Sequence, residues 1–243
     1  MSGHAAGHPT DNHFLARLPR QTRARLDPDL RRVTLAVGQR LIEPMARVPA
    51  VHFPIDCQLA NLAPLGSGHE IETSVIGCEG LSGLAPALAD EPCQWGVAVR
   101  AGGDAWVLPA EVLRRQMGED SILRSRLMVL TGFYQAQASQ SAACNIRHEA
   151  RARLARWLLT AADLSPGVPL RFTQEGLAGL LGYSRTTVVE IARPLKVAKV
   201  LRYDRGVIRI QDRAALEAEA CECYRILRRV AETQDILPRP APS

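Results

Sequence analysis

The chain has 243 residues, 47% of them apolar and 23% charged, enough for one large domain or two ordinary ones with a sizeable core. No unbroken apolar run reaches six residues, and the first residues lack a basic stretch followed by an apolar one, so neither a membrane span nor a secretory leader is expected. The net charge of +5 is uneven: residues 1–145 hold 13 basic against 14 acidic side chains, and residues 146–243 hold 17 against 11. A polyanion is therefore expected to meet the second part.

Residues 1–11 read as a disordered tail, in which Gly7 and Pro9 oppose any helix that would gather His4, His8 and His13. Asn12 is placed to cap a short helix carrying Phe14, Leu15 and Leu18 on one face, and a second helix is expected over residues 21–30. From Val33 to Leu108 the pattern is one of short strands and turns. Val33, Leu35 and Val37 alternate, and further strand candidates are residues 51–54, 59–62, 70–76, 96–100 and 105–108. The turns between them are rich in Gly, Pro and Asp, which indicates a small β-roll or sandwich.

After Pro109 the pattern becomes helical, with a short helix over 109–117 and a long one from about 120 to 145. Along the long helix Leu123, Leu127, Leu130, Tyr134, Gln137, Ser141 and Cys144 recur at spacings of four and three, a heptad seam. Such a seam suits either the buried face of a single domain or the contact with a second copy. Residues 148–163 form another amphipathic helix, with Arg147, Arg151, Arg153 and Arg156 interleaved among its apolar positions. A last helix is expected over 214–235.

The stretch from Thr173 to Ala192 is the most specific in the chain. Thr173 reads as the cap of a helix whose Leu177, Leu180 and Leu181 face a core, and Ala178 lets a second helix cross closely. Gly182 permits the left-handed backbone of a tight turn, and Ser184 caps a new helix with Val188, Ile191 and Leu195 behind it. This is a helix-turn-helix. Its second helix is expected to present Arg185, Thr186, Thr187 and Glu190 outward, where a recognition helix meets base edges. Arg185 suits the forked contact to guanine, and the threonines suit phosphate, base or a thymine methyl. Glu190 either accepts from a cytosine amine or pairs with a neighbouring Arg. Arg193, Lys196 and Lys199 suit phosphates. Residues 200–210 then read as a hairpin, or wing, with Arg205 at its tip. Nine basic and four acidic residues between Arg171 and Arg213 complete the case for double-stranded DNA.

At this point the sequence resembles the Crp/Fnr family of bacterial transcription regulators. The resemblance runs from Asn12-His-Phe-Leu-Ala through Val37-Gly-Gln-Arg-Leu, Phe53-Pro and Gly77-Cys-Glu-Gly-Leu-Ser-Gly to the Leu-Gly-Tyr-Ser-Arg-Thr-Thr-Val segment. It implies an α+β fold: a cyclic-nucleotide-binding-like β-roll over 12–119, a dimerisation helix over 120–145, and a winged helix-turn-helix over 146–236. It also implies a homodimer on palindromic half-sites, joined through Leu123, Leu127, Leu130, Tyr134, Gln137 and Ser141, and contact with RNA polymerase. Thr173, Ser184, Lys196 and Arg205 would hold the DNA backbone. Well-studied members carry Glu after the recognition Arg where this chain has Thr186, so a different half-site is expected.

Ligand-binding members of the family hold the ribose with a Gly-Glu pair and the cyclic phosphate with an Arg followed by a small hydroxyl residue. Here those last positions fall near Trp95 and Gly96, and residues 90–96 contain no Arg. Glu79-Gly80 and Ser82-Gly83 keep part of the turn, but a buried phosphate without a cation would be poorly compensated. Cyclic-nucleotide binding by the usual mode is thus not expected, although an unknown small-molecule effector is compatible with the domain. The rivals are a cyclic-nucleotide-dependent activator and a winged helix that binds protein.

No cofactor, metal or catalytic residue is expected. The first cysteine is Cys57, so the N-terminal cysteine group of the oxygen-sensing members is missing. Cys221 and Cys223 are read as lying on one ordinary helix, where their spacing turns the two thiols apart, with a redox or metal role as the alternative; His52 and His69 are read as surface or satisfied strand histidines, with haem ligation as the alternative. The six thiols read as reduced groups of a cytoplasmic protein. No nucleophile motif, phosphate loop or paired acids suggests an enzyme.

Overall fold

The computed structural model describes residues 12–66, 68, 70–166, 170–172, 174–204 and 206–237. Asn12 is buried, and its side chain closes the N-terminal end onto the rest of the chain. Its Oδ1 accepts from the Leu15 amide at 3.1 Å, and its Nδ2 donates to the carbonyls of Pro54 and Gly80 at 2.9 and 3.0 Å. Helix α1 (His13–Ala16) follows, then α2 (Arg20–Leu26), which ends in a short 3₁₀ turn over Asp27–Asp29.

Seven strands make the first half: β1 (Arg31–Leu35), β2 (Arg40–Ile42), β3 (Ala50–Pro54), β4 (Gln58–Pro64), β5 (Glu70–Ile76), β6 (Gly96–Ala101) and β7 (Gly103–Pro109), with α3 (Leu84–Ala89) between β5 and β6. They form two antiparallel sheets, ordered β1-β7-β3 and β2-β6-β4-β5. Phe53, Leu59, Val97, Val99, Ala105 and Leu108 are buried between them, the inward set that strand alternation demands. Sequence periodicity missed β2 and α3. Three residues are too few to show a period of two, and Pro86 in the first turn of α3 disguises a helix.

Helix α4 (Ala110–Glu119) leads to α5 (Ser121–Arg147), where Asp120 caps the start by accepting from the Ile122 and Leu123 amides. The heptad seam of α5 is covered by the chain's own core. Leu123, Leu127, Leu130 and Gln137 are buried within the protomer, and the Tyr134 hydroxyl accepts from the Leu81 amide at 3.1 Å. Of the six expected interface positions, Tyr134 and Ser141 are half-buried and the other four are buried. A second seam, Ser125, Met128, Gly132, Gln135, Ser139, Ala142 and Ile146, keeps the same alternation of three and four on the opposite face and is exposed. Met128 is 60% and Ile146 83% exposed. Leu123, Leu127, Leu130 and Gln137, expected to meet a second copy, therefore face the protomer's own core, and the exposed face of α5 is this second seam.

The second half contains α6 (Ala150–Leu164), β8 (Leu170–Arg171), α7 (Gln174–Leu181), α8 (Arg185–Val197), β9 (Leu201–Asp204), β10 (Val207–Ile210), α9 (Arg213–Glu219) and α10 (Glu222–Thr233). The wing sheet is antiparallel in the order β8-β10-β9. The single helix expected over 214–235 is broken, because Ala220 and Cys221 are extended with ψ of 147° and 162°. Asp163 holds the pieces to α6: it accepts from Arg213 at 2.6 Å, from Arg228 at 2.8 Å and from the Tyr224 hydroxyl at 2.8 Å.

The two halves meet closely. Two of the last four carbonyls of α6, which lack partners within the helix, are satisfied by the β-roll: Gln58 Nε2 donates to Ala161 O at 3.0 Å and the Cys78 amide to Leu164 O at 2.8 Å. A Cβ at Gly77 would stand 1.9 Å from Leu164 O, so only glycine lets α6 approach there. Beside this contact the guanidinium of Arg100, on β6, ion-pairs with Glu72 of β5. It also lies 3.9 Å from the ring centre of Phe172 and 4.6 Å from that of Trp157, which meet each other edge to face at 4.4 Å.

Candidate nucleic-acid interface and effector cavity

Helix α7 buries Leu177, Ala178 and Leu181; the side chain of Leu180 is outside the described residues. Gly182 follows with φ +70°, the left-handed turn that a side chain would resist. Ser184 then takes extended backbone and its Oγ accepts from the Thr187 amide at 3.1 Å, which starts α8. Val188 and Leu195 face the core and Ile191 is half-buried. The turn is also tied from behind. Arg153 of α6 donates to the Leu181 carbonyl at 2.7 Å and to the Tyr183 hydroxyl at 3.0 Å. A cation at the carboxyl end of α7 is favourable, so this arginine belongs to the scaffold rather than to a basic surface.

On α8 the side chains of Arg185, Thr186, Glu190 and Arg193 are exposed. Thr187 departs from the outward position expected of it: it is half-buried, and its hydroxyl lies 2.9 Å from Ser184 Oγ. Val189, 42% exposed, stands on the face instead, an apolar surface residue that sequence reading did not single out. Lys196 is exposed with its Nζ 5.9 Å from the ring centre of Tyr203, which links the helix to the wing. Thr173 and Arg205 lie outside the described residues. Asp204 and Val207 pair across the end of the wing, and Gly206 has φ +80°.

A cavity of about 330 Å³ lies between the β-roll and α5. Asn61, Thr73, Ser74 and Trp95 line it from the sheet, Leu81 and Gly83 to Ala85 from the turn before and into α3, and Thr131, Tyr134, Gln135, Ala138 and Ser139 from α5. No charged side chain is among these. The Trp95 indole donates to Asn61 Oδ1 at 3.1 Å, and Asn61 Nδ2 donates to Ser74 Oγ at 2.9 Å, which leaves a polar strip on an otherwise apolar wall.

Neither Glu79 nor Arg100, the arginine of β6, lines this cavity. Glu79 is 1% exposed and turns back to accept from the Gly77 amide at 2.8 Å. Arg100 is held by Glu72, Trp157 and Phe172 at the joint between the halves. Arg40, packed against Gly96, pairs with Glu70 at 2.5 Å. His52 is half-buried on β3, its Nδ1 3.3 Å from Ser82 Oγ, and burial lowers its pKa to about 4, so it is a neutral, satisfied histidine. His69 is outside the described residues.

Residues 152–219 match the family described as the Crp-like helix-turn-helix domain. This part of the chain is a Crp-like helix-turn-helix domain. Over about four fifths of its length the chain also has the Crp/Fnr fold. FixK2 from Bradyrhizobium japonicum superposes with a TM-score of 0.69 at 14% identity, over 79% of this chain and 98% of that one. A transcriptional regulator of the Crp/Fnr family from Eubacterium rectale gives 0.63 at 18% identity, over 84% and 95%. A CRP-family regulator from Thermus thermophilus gives 0.62 at 18% identity, over 78% and 96%. No curated protein sequence matches the chain. No described helix is long and apolar enough to cross a membrane.

One cluster lies just beside the Crp-like helix-turn-helix domain. Cys221 is the cap of α10 and Cys223 lies in its first turn, so the two are not consecutive on one regular helix and their thiols do not diverge. Both converge on Cys144 and His148 at the end of α5. The expectation of two thiols turned apart is thereby corrected. The physical reason is the extended backbone at Ala220 and Cys221. Cys144 and His148, four residues apart and thus on one helical face, carried the signal that sequence reading passed over.

Glu79 yields a pH prediction. Burial pushes its carboxyl up from 4.5 to about 8, against the opposing pull of its amide contacts, so it is neutral in the folded chain at pH 7 and ionised in the unfolded chain. The unfolded state binds fewer protons between those two values, so this group removes stability as pH rises, by up to about 1.4 kcal/mol per pH unit. Glu79→Gln should flatten the fall in stability between pH 5 and 8, measured by denaturant unfolding at a series of pH values. An unchanged slope would show that Glu79 is not the titrating group.

Proposed function

We propose that the protein is a sequence-specific DNA-binding transcription regulator acting as a homodimer on palindromic sites. The single observation that carries this reading is the exposed face of α8. Arg185, Thr186, Glu190 and Arg193 project from a Crp-like helix-turn-helix domain whose scaffold groups are turned inward. Arg185 reads a base pair in the major groove, with Thr186, Val189 and Glu190 beside it, while Arg193, Lys196, Thr173, Ser184 and Arg205 hold phosphates. Thr187 supports the cap and contributes less to readout. Contact with RNA polymerase rests on the family resemblance alone.

The exposed seam of α5 supports the dimer. Gly132 lies in it with open space where a Cβ would be, so close approach of a second helix is the use for a glycine there. A dimer built this way would set two recognition helices for half-sites one helical turn apart, about 34–36 Å. Gln135 and Ser139 belong both to this seam and to the cavity wall, so a ligand in the cavity would touch the dimer contact directly. The uncharged wall suits a neutral effector rather than a cyclic nucleotide.

Three measurements test this reading. Arg185→Ala should weaken binding to a site obtained by selection from random DNA by about 1–3 kcal/mol and relax preference at one base position, whereas an unchanged footprint would remove Arg185 from readout. Gly132→Arg should leave the thermal unfolding of the protomer nearly unaltered and shift sedimentation from dimer to monomer; a dimer that persists would place the interface elsewhere. Calorimetry with cyclic AMP and cyclic GMP should show no saturable heat at micromolar concentration, and saturable binding of either would restore the cyclic-nucleotide-dependent reading.

A further inference from the structure

The last turn of α5 and the first turn of α10 bring Cys144, His148, Cys221 and Cys223 together, so that one ligand atom from each lies within 4.8 Å of all the others. Cys144 Sγ is 3.5 Å from Cys221 Sγ, and Cys223 Sγ is 3.6 Å from His148 Nδ1. Donor atoms at about 2.3 Å for sulfur and about 2.0–2.1 Å for nitrogen around a tetrahedral ion stand roughly 3.5–3.8 Å apart, so these separations fit one mononuclear centre. An iron–sulfur cluster spreads its thiolates farther than this. We propose that these four side chains form a closed Cys₃His site for one zinc ion.

Three features beyond the four ligands point the same way. His148 Nε2 lies 3.1 Å from Glu222 Oε1, which orients the ring and turns Nδ1 toward the sulfurs, the carboxylate–histidine arrangement that supports bound zinc. Gln140 Nε2 donates to Cys223 Sγ at 3.0 Å, a contact that favours sulfur carrying negative charge. Arg156 is buried, with an Nε that has no hydrogen-bond partner among the described residues, and it acts on Cys144 as a nearby positive charge. Zinc bound by three thiolates and a neutral imidazole has a net charge of −1, and the three thiol protons pass to solvent as the Zn–S bonds form. The anionic centre then supplies Arg156 with a counter-charge. The break between α9 and α10 gains a reason too, since a continuous helix would not aim Cys221 and Cys223 at one point.

All four coordination positions are filled by the chain, so the site is structural and leaves no room for substrate water. It ties the end of α5 to α10 at the passage from α5 into α6, where the β-roll half joins the DNA-binding half. Its occupancy would therefore set the stiffness of that joint. The inference does not depend on the DNA-binding reading.

Cobalt(II) is a spectroscopic probe for such a site. Titrating it into the reduced, chelator-treated full chain should give one equivalent of tight binding, with thiolate-to-metal charge transfer and intense tetrahedral d–d bands, displaced by zinc. Zinc should raise the midpoint of thermal unfolding and a chelator should lower it. Cys144→Ser and Cys223→Ser should each weaken binding by at least 100-fold, Glu222→Gln by about 10–100-fold, and Cys93→Ser, remote from the site, not at all. Absence of cobalt binding by the wild-type chain would overturn the proposal, as would an octahedral spectrum, undiminished binding by both serine variants, or purification with iron and sulfide. A Cys144–Cys221 disulfide persisting in the reduced chain would do the same.

Discussion

A desolvated cation joins the two halves of this chain, and their relative placement depends on it. Arg100 leaves the β-roll, pairs with Glu72 beside it and presses against Trp157 and Phe172 of the helix-turn-helix half. A buried guanidinium is costly unless its charge is balanced and its faces are covered, and neither half does both alone. The carbonyls of α6 that receive Gln58 and the Cys78 amide are satisfied in the same place. Gly77 permits the approach, so the joint combines charge, stacking and backbone hydrogen bonds within a few residues.

Helix α5 stands between this joint and any second copy, and its two faces have separate duties. One carries leucines into the core and supports the cavity through Tyr134. The other presents Gly132, Gln135 and Ser139 outward, with the methionine and isoleucine at either side. Because Gln135 and Ser139 also line the cavity, a ligand held there and the proposed helix pairing would share one element. The proposed zinc site lies at the far end of that same helix, where α5 gives way to α6. Effector and metal would therefore bias one element from different ends, an arrangement in which coupling needs no long chain of contacts.

Local chemistry made much of the fold readable. The caps at Asn12 and Ser184, the left-handed glycine at 182 and the alternating strands all act within a few residues, and each is found where those residues predict it. The exposed face of α8 was legible at Arg185, Thr186 and Glu190 because helical spacing places them away from the buried Val188 and Leu195. Thr187 was misjudged because its hydroxyl competes for the cap, a preference that periodicity does not express. β2 and α3 were missed for a related reason: short elements are held by neighbours rather than by their own pattern.

The sequence by itself determined a basic, winged helix-turn-helix half behind a β-rich half of different charge, since composition, capping and spacing are properties of the chain alone. It also determined that residues 90–96 supply no arginine to a phosphate. Only the tertiary structure decided which seam of α5 faces the core, because both faces have heptad spacing and the choice depends on what packs against them. Only it turned Arg100 toward Trp157 and Phe172 and brought Cys144 and His148 to Cys221 and Cys223. The two cysteine and histidine pairs lie 75 and 77 residues apart along the chain, and nothing local to either pair indicates the other.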